Sequence, residues 1–375
     1  MSIRQDVHAL IVSLTDQARA VAGTDGGAAG TIVGAVGLLD TALENRDEQQ
    51  MRARVDDCRR VLLEVAPRAR NEDASVCTDI AEKLTALLGP PRMVVVESFT
   101  RGKHPDQSKS EDRWRDGEHF TVVVDGSTDK TGLRFNGRTG GWAVAELVTD
   151  IVASAPAGTS GIDLVAAIND EYARRLGADL ADLPDHQRPS AVFVAFDRTT
   201  SRIVGVGDAK WSINGERYDL GVRGVDAAAA DARAALLRCL LTGGASVENL
   251  RRDDPGRQMV MPLLLARAHA RNIERDVEPY FDGEDELVLR HGVIDGRPVP
   301  ADLITDESFN DPFMVHLASD GYPVLHETLQ ETETYLAADI ADDPLRIGRH
   351  RGTKAIALGN DSFDDRTYVR LDRMA

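Results

Sequence analysis

Acidic motifs recur along this chain where a rigid scaffold can aim carboxylates. Glu111 and Asp112 lie in KSEDRW, Asp125 and Gly126 end HFTVVVDG, and Asp208 sits in VGVGDAKWSI. Asp320 and Gly321 end FMVHLASDG, and Asp364 and Asp365 precede RTYVRL. Each stands at or beside a short apolar run, and strand ends can point several carboxylates at one place. Hard cations such as Mg²⁺ and Mn²⁺ prefer carboxylate, carbonyl and water oxygens. Two such ions can clamp a bridging water, lower its pKa and direct it at phosphorus, so no protein nucleophile is required. The scarcity of histidine beside these motifs argues against zinc. No GxSxG, HExxH or CxxC motif competes for the chemistry. Singly, each motif is weak, because Asp-Gly is a common turn dipeptide and a DD before a strand can be a solvated cap.

The elements that must position these residues follow from periodicity. After Pro91, MVVVESF, HFTVVVDG, SAVFVAFD, RIVGVGDAKWSI and PFMVHLASDG are Val-, Ile- and Phe-rich runs bounded by turn residues, which predicts buried strands. GGWAVAELVTDIVASA, DLVAAINDEYARRLG, VDAAAADARAALLRCLLTGG, MPLLLARAHARNIERD and TLQETETYLAADIADD read as helices, the third with an expected N-cap at Asp226. Strands with helices inserted in pairs predict an α+β fold, sheets packed together with helices outside them, not a strictly alternating parallel sheet. From Gln5 to about Leu88, apolar residues recur at three and four, and Gly89, Pro90 and Pro91 stop the pattern. Residues 1–90 are therefore expected to form a small all-helical domain, and residues 91–375 the domain that carries the acidic motifs.

Composition narrows the function classes. The formal charge of −18 repels a phosphate backbone and the basic residues are dispersed, so nucleic acid is not expected as a partner. No apolar run is long enough to cross a bilayer, and the N-terminus lacks the apolar centre and cleavage site of a signal peptide, which suggests a cytoplasmic protein that does not engage membranes. Cys58, Cys77 and Cys239 form no CxxC pair and read as buried thiols.

The order and contexts of the acidic motifs carry a resemblance. EDR, VVVDGS, GVGDAKW, LASDGY and DDRTYVRL, from about Val94 to Leu371, resemble the motif series of the metal-dependent protein phosphatases of the PPM, or type 2C, family. The resemblance implies a β-sandwich of two antiparallel sheets flanked by helices, here as a divergent bacterial-type member with an added N-terminal helical domain. It implies a hydrolase acting on phosphorylated protein substrates with two, or three, Mn²⁺ or Mg²⁺ ions. Asp125 would contact both metals, the Gly126 carbonyl one of them, and Asp320 and Asp364 the other side of the pair. Glu111 would act through metal-bound water, Asp112 as a neighbouring outer ligand or as a helix and turn partner, and Asp208 at a third, looser metal site. Asp365 stands where the family usually has Asn. Asp125, Asp320 and Asp364 would be the catalytic set.

Two departures bear on mechanism. Many relatives follow the first DG with a His that serves as candidate general acid, whereas this chain has Ser127 and Thr128, and serine is a poor acid at neutral pH. A metal-bound water, Lys130 or His119 would then supply the proton, or the enzyme would prefer a leaving group that needs less help. The Arg that relatives carry upstream of the acidic pair is replaced by Gln107, with Lys109, Arg101 and Lys103 as substitutes for holding substrate phosphate, Lys109 favoured for its place beside the pair. His316, in FMVHLAS, reads as a hydrogen-bonded core residue. The basic loop RIGRHRGTK, containing His350, reads as a solvated charge run, with a screen for the acidic site or a contact for an anionic substrate as alternatives. FNGRTGGWAVAEL could form an anion nest, or simply a helix packed closely through its glycines. The alternative function is a catalytically degenerate module of the same fold that binds or senses. The N-terminal helices suit regulation, a partner contact or a dimer contact.

Overall fold

Apolar residues spaced by three and four in the first part of the chain form helices α1 (Ile3–Val21), α2 (Gly26–Leu43), α3 (Glu48–Val65) and α4 (Asn71–Leu88). Val7 and Leu14, Ile32 and Leu39, Val55 and Leu62, and Ile80 and Leu84 come from successive helices and share one core, each contributing roughly 1.5–3 kcal/mol by leaving water. The structure, a computed structural model, describes residues 3–21, 26–45, 48–68, 71–88, 92–127, 134–135, 137–181, 183–218, 224–274 and 290–374. The chain divides into two compact units, Met1–Val94 with Arg373–Ala375, and Val95–Asp372. Among the described residues, no helix is long and apolar enough to cross a membrane.

The β-rich part begins with β1 (Arg92–Arg101), β2 (Arg113–Asp116) and β3 (Phe120–Gly126), then a ribbon of β4 (Arg134–Phe135) and β5 (Arg138–Thr139). Helices α5 (Gly140–Ala153) and α6 (Gly161–Leu180) follow, then β6 (Ala191–Asp197), β7 (Arg202–Val206), β8 (Lys210–Ile213) and β9 (Glu216–Tyr218). A helical insertion comprises α7 (Gly224–Thr242), α8 (Val247–Arg252) and α9 (Pro255–Ala266), and the chain closes with β10 (Ile304–Ser308), β11 (Met314–Ala318), α10 (Leu329–Asp342) and β12 (Arg366–Met374). The strands form two five-stranded sheets, ordered β1-β12-β11-β8-β9 and β10-β7-β6-β3-β2. The pairings on either side of β3, β6, β8 and β11 are antiparallel. The expected α+β architecture, two antiparallel sheets with flanking helices after a helical region, is the one observed.

The pleat explains how the site is aimed. Phe120, Val122 and Val124 pack into one core with Val144, Val148 and Ile168 of α5 and α6. Side chains alternate along a strand, so Val123 and Asp125 point to the opposite face, where β11 of the other sheet packs against β3 and β6. α10 covers the other sheet through Leu336, against Ala318, Tyr322 and Tyr368.

Several local expectations need correction. β2 lies between Asp112 and the strand HFTVVV and forms a hairpin with β3. Asp226 is not an N-cap: α7 starts at Gly224, and the Asp226 carboxylate instead receives a hydrogen bond from Arg267. The helix expected through Asp276 ends at Ala266 and tightens into a 3-10 turn over Arg267–Ala270. Cys58 and Cys77 are buried but Cys239, on α7, is exposed.

Candidate active site

Strand ends from both sheets surround a cavity of about 1310 Å³ whose lining includes Asp125, Asp208, Asp320 and Asp364. Asp125 is at the end of β3 and Asp320 just past β11. Asp208 lies in the turn by which β7 of one sheet passes into β8 of the other, and Asp364 lies just before β12. Two glycines permit this convergence. A Cβ on Gly126 would stand 2.6 Å from the Gly141 carbonyl oxygen and 2.8 Å from that of Glu111, and a Cβ on Gly321 would stand 2.0 Å from the Asp365 carbonyl oxygen. Both Asp-Gly motifs are thus sites where backbone must touch backbone.

Asp365 does different work from Asp364. Its carboxylate accepts the backbone N–H of Lys103 at 2.8 Å and that of Glu111 at 2.9 Å, tying the start of β12 to the end of β1 and to the acidic pair. Glu111 is buried, and its carboxylate receives the Thr139 hydroxyl, which also caps α5 by accepting from the Trp142 N–H at 3.3 Å. The Gly-rich start of α5 therefore serves close packing around Glu111. Asp112 is 1% exposed, and neither of its carboxylate oxygens has a hydrogen-bond partner of good geometry among the described residues, the Ser319 hydroxyl giving it partial relief.

The electrostatics are those of like charges held together. Burial pushes the Asp112 carboxyl up to about 8, with Asp365, Asp364 and Asp320 adding to the shift. Burial raises Asp125 well above the usual carboxylate range, with Asp112, Asp320, Asp364 and Asp208 reinforcing it. Asp320 is pushed up to about 6, by burial first and then by Asp364 and Asp208, and it lies within hydrogen-bond reach of Asp125. At Asp364 burial acts in the same direction, but two cations overcome it and hold the group below its ordinary value. The Lys103 ammonium is 2.8 Å from one oxygen of Asp364, and the Lys354 ammonium 2.6 Å from the other.

Of the candidates for holding phosphate, Lys103 lines the cavity. Lys109 is exposed with its ammonium 3.5 Å from His104, and Arg101 pairs with Asp361 at 2.6 Å. Neither is part of the cavity lining. Gln107 is committed to the loop itself, accepting from the Gly102 N–H at 2.8 Å and donating to the His104 carbonyl at 2.7 Å. His119 precedes β3 at the end away from Asp125, six residues or roughly 20 Å along an extended strand, so it cannot serve the site. Lys130 lies outside the described residues. Ser127 lines the cavity and shares a 3.0 Å hydrogen bond with the Ser190 hydroxyl. His316 is a core residue as expected, its ring nitrogens 2.7 Å from the Ser212 hydroxyl and 3.0 Å from the Glu327 carbonyl.

Lys354 is the residue that sequence reasoning missed. The basic loop that carries it lines the cavity rather than dissolving into solvent. Its anchor is Arg233 of α7, which is fully buried. Arg233 donates to Asp254 at 2.7 and 3.0 Å and to the carbonyls of Leu345 and Gly352 at 2.8 and 2.9 Å. Asp254 also accepts the Ala355 N–H at 3.1 Å. The only hint in the sequence was the position of a basic loop just ahead of the DD motif.

A carboxylate set of this kind fits hard divalent cations, because all its donors are oxygen and its burial and repulsion are only partly relieved at Asp112 and Asp320. As they stand, no three or more His, Cys, Asp or Glu side chains among the described residues are arranged to hold a metal ion.

No family model and no curated protein matches the chain. Solved structures do. The Mycobacterium tuberculosis serine/threonine phosphatase PstP/Ppp is 16% identical, with a TM-score of 0.37 over 74% of this chain and 99% of its own. The Staphylococcus aureus serine/threonine phosphatase Stp1 is 13% identical, with a TM-score of 0.38 over 74% of this chain and 95% of its own. A PstP catalytic domain in complex with two manganese ions is 14% identical, with a TM-score of 0.39 over 76% of this chain and all of its own. Over about three-quarters of its length, then, this chain is similar to catalytic domains of serine/threonine phosphatases.

Proposed function

We propose that the Val95–Asp372 unit is a metal-dependent phosphomonoester hydrolase acting on phosphoserine or phosphothreonine in proteins. The observation that carries this reading is the collection of Asp125, Asp208, Asp320 and Asp364, from distant parts of the chain, around one cavity with Asp112 buried close by, burial and mutual repulsion together raising Asp112, Asp125 and Asp320. Such an arrangement is costly without a counter-charge. Asp125, the Gly126 carbonyl, Asp320 and Asp364 would hold two Mn²⁺ or Mg²⁺ ions, with Glu111, Asp112 and Asp208 supporting them. Bound there, the ions supply charge neutralisation and an activated water. Lys103 and Lys354 are the point charges that can orient a phosphate beside Asp364. Ser127 can hydrogen-bond a leaving oxygen but is too weak an acid to protonate it, so esters of acidic alcohols should turn over fastest.

The test is hydrolysis of an aryl phosphate and a phosphopeptide by wild type, Asp125→Asn and Asp320→Asn in Mn²⁺. Both variants should lose activity by at least about a hundredfold, the scale of removing one electrostatic stabiliser, while keeping the far-ultraviolet circular dichroism of wild type. Unchanged turnover in both would end the proposal. One observation favours a second reading, a module that binds without turnover: Asp364 is already neutralised by Lys103 and Lys354. Calorimetric Mn²⁺ binding unaccompanied by aryl phosphate hydrolysis would select it.

For the helical unit we propose a contact surface for a partner or second copy, supported by exposed Val33 and Leu38 on α2 and Val61 and Leu63 on α3. Light scattering of the Val33→Lys and Val61→Lys variants tests the self-association arm.

A further inference from the structure

The cavity is larger and more cationic than a single phosphate requires. Pockets for small molecules run to about 300–1,000 Å³, whereas this one is about 1310 Å³. Basic side chains outnumber acidic ones ten to six along its lining, although the whole chain carries −18. The carboxylates cluster at the strand ends. Many of the basic groups lie instead on α9, the turn after it and the 345–355 loop.

Most of these cations have a carboxylate: Arg267 takes Asp226, Arg346 takes Asp339 and Arg351 takes Asp231. Two differ. Among the described residues the Arg257 guanidinium of α9 donates to the backbone and hydroxyl oxygens of Thr353, at 3.1 and 2.9 Å, and three of its donors remain. Burial and the proximity of Arg267 and Arg233 disfavour its charge and outweigh the opposing pull of Asp254 and Asp226, a situation a further anion would relieve. Arg349 is exposed and makes no hydrogen bond or ion pair among the described residues. α9 also offers the same cavity two apolar side chains, Met261 and Leu265, the latter 48% exposed.

We propose that this wall is a second anion subsite, at which Arg257 and Arg349 take a phosphate or carboxylate near the scissile phosphoresidue of an extended peptide, with an apolar side chain of that peptide on Met261 and Leu265. The preferred substrate is then a phosphopeptide with a second negative group, not an isolated phosphoester. This deepens the proposed phosphatase reading and rests on it for the identity of the first subsite. Guanidinium recognises phosphate and carboxylate in the same forked geometry, so the chemistry of the second anion is shared.

The experiment measures binding in EDTA, by fluorescence anisotropy, of phosphothreonine peptides with one apolar neighbour and Ala, Glu or phosphoserine two to four residues away. Mn²⁺-dependent hydrolysis of the same peptides is measured alongside. Wild type should bind at least one Glu or phosphoserine peptide tenfold or more tightly than its Ala counterpart. A larger gain for phosphoserine assigns the second anion as phosphate, and equal gains assign it as any carboxylate-like anion. Arg349→Gln, at a residue with no partner to lose, should bring the preference to within about threefold. Arg257→Gln should do the same, and Arg257→Lys should restore part of it. Arg115→Gln, on β2 and outside the cavity lining, is the control that keeps the preference. Equal binding of all peptides by wild type overturns the subsite, and so does a preference that survives both Gln substitutions. A preference that behaves as expected with no hydrolysis in Mn²⁺ leaves the subsite standing and removes the phosphatase reading, so the two failures are separable.

Discussion

The ammonium of Lys354 stands 2.6 Å from one oxygen of Asp364, a carboxylate in the proposed catalytic set. With Lys103 on the other oxygen, Asp364 is neutralised by the chain's own cations. These lysines compete with any divalent cation for the same group.

Replacing Lys354 by Met should therefore tighten Mn²⁺ binding about fivefold, equivalent to the ~1 kcal/mol of a partly exposed ion pair. Isothermal titration calorimetry of wild type and variant checks this. Weaker binding in Lys354→Met would mean that the lysine supports the metal site rather than competing with it.

Stability of the metal-free protein should fall as pH rises. Asp112 and Asp320 bind protons in the folded state up to about 8 and about 6, against about 3.9 for an unfolded aspartate. The folded state then holds more protons than the unfolded state, so the contribution is full below pH 4 and is lost as pH passes 6 and then 8. Asp364, depressed by its lysines, is ionised in both states across that window and does not alter the slope. Thermal unfolding in EDTA from pH 5 to 8.5 should show a declining midpoint, flattened in Asp112→Asn and reversed in sign of effect by added Mn²⁺.

Arg233 should be among the costliest single positions. Removing one partner of a buried ion pair costs about 3–5 kcal/mol, and Arg233→Met also strands the carbonyls of Leu345 and Gly352. Urea unfolding should show that loss, and Arg233→Lys should recover little of it, since a lysine cannot serve Asp254 and several carbonyls together.

Gly321→Ala places a methyl 2.0 Å from the Asp365 carbonyl oxygen, an overlap that only backbone movement relieves. Overpacking of this sort costs about 1–3 kcal/mol. Because Asp365 holds Lys103 and Glu111, the same substitution should lower Mn²⁺ affinity. A variant with lowered stability and unchanged Mn²⁺ binding would separate the packing role of Gly321 from the proposed site.

The strands that aim the acidic residues were legible in the sequence because each is a compact apolar run closed by a turn residue, and period-two alternation then puts Asp125 opposite Val124. Short or weakly apolar strands were not: β2 is RWRD and β9 is ERY, which carry no burial pattern on their own. Lys103 and Lys109 could not be ranked by distance along the chain, since the path between the end of β1 and the acidic pair decides which of them faces the cavity. Lys354 was hidden for a similar reason. Its approach to Asp364 depends on Arg233, more than a hundred residues earlier, and a loop held by such a contact has no periodic signature.

The carboxylate of Asp365 joins Glu111 across a separation of 254 residues, and β12 enters its sheet between β1 and β11. Closing so long a loop carries an entropic cost that slows folding. A chain still lacking β12 has neither Asp364 in place nor the clamp on Glu111. Any reactivity that depends on them requires that one sheet to be complete.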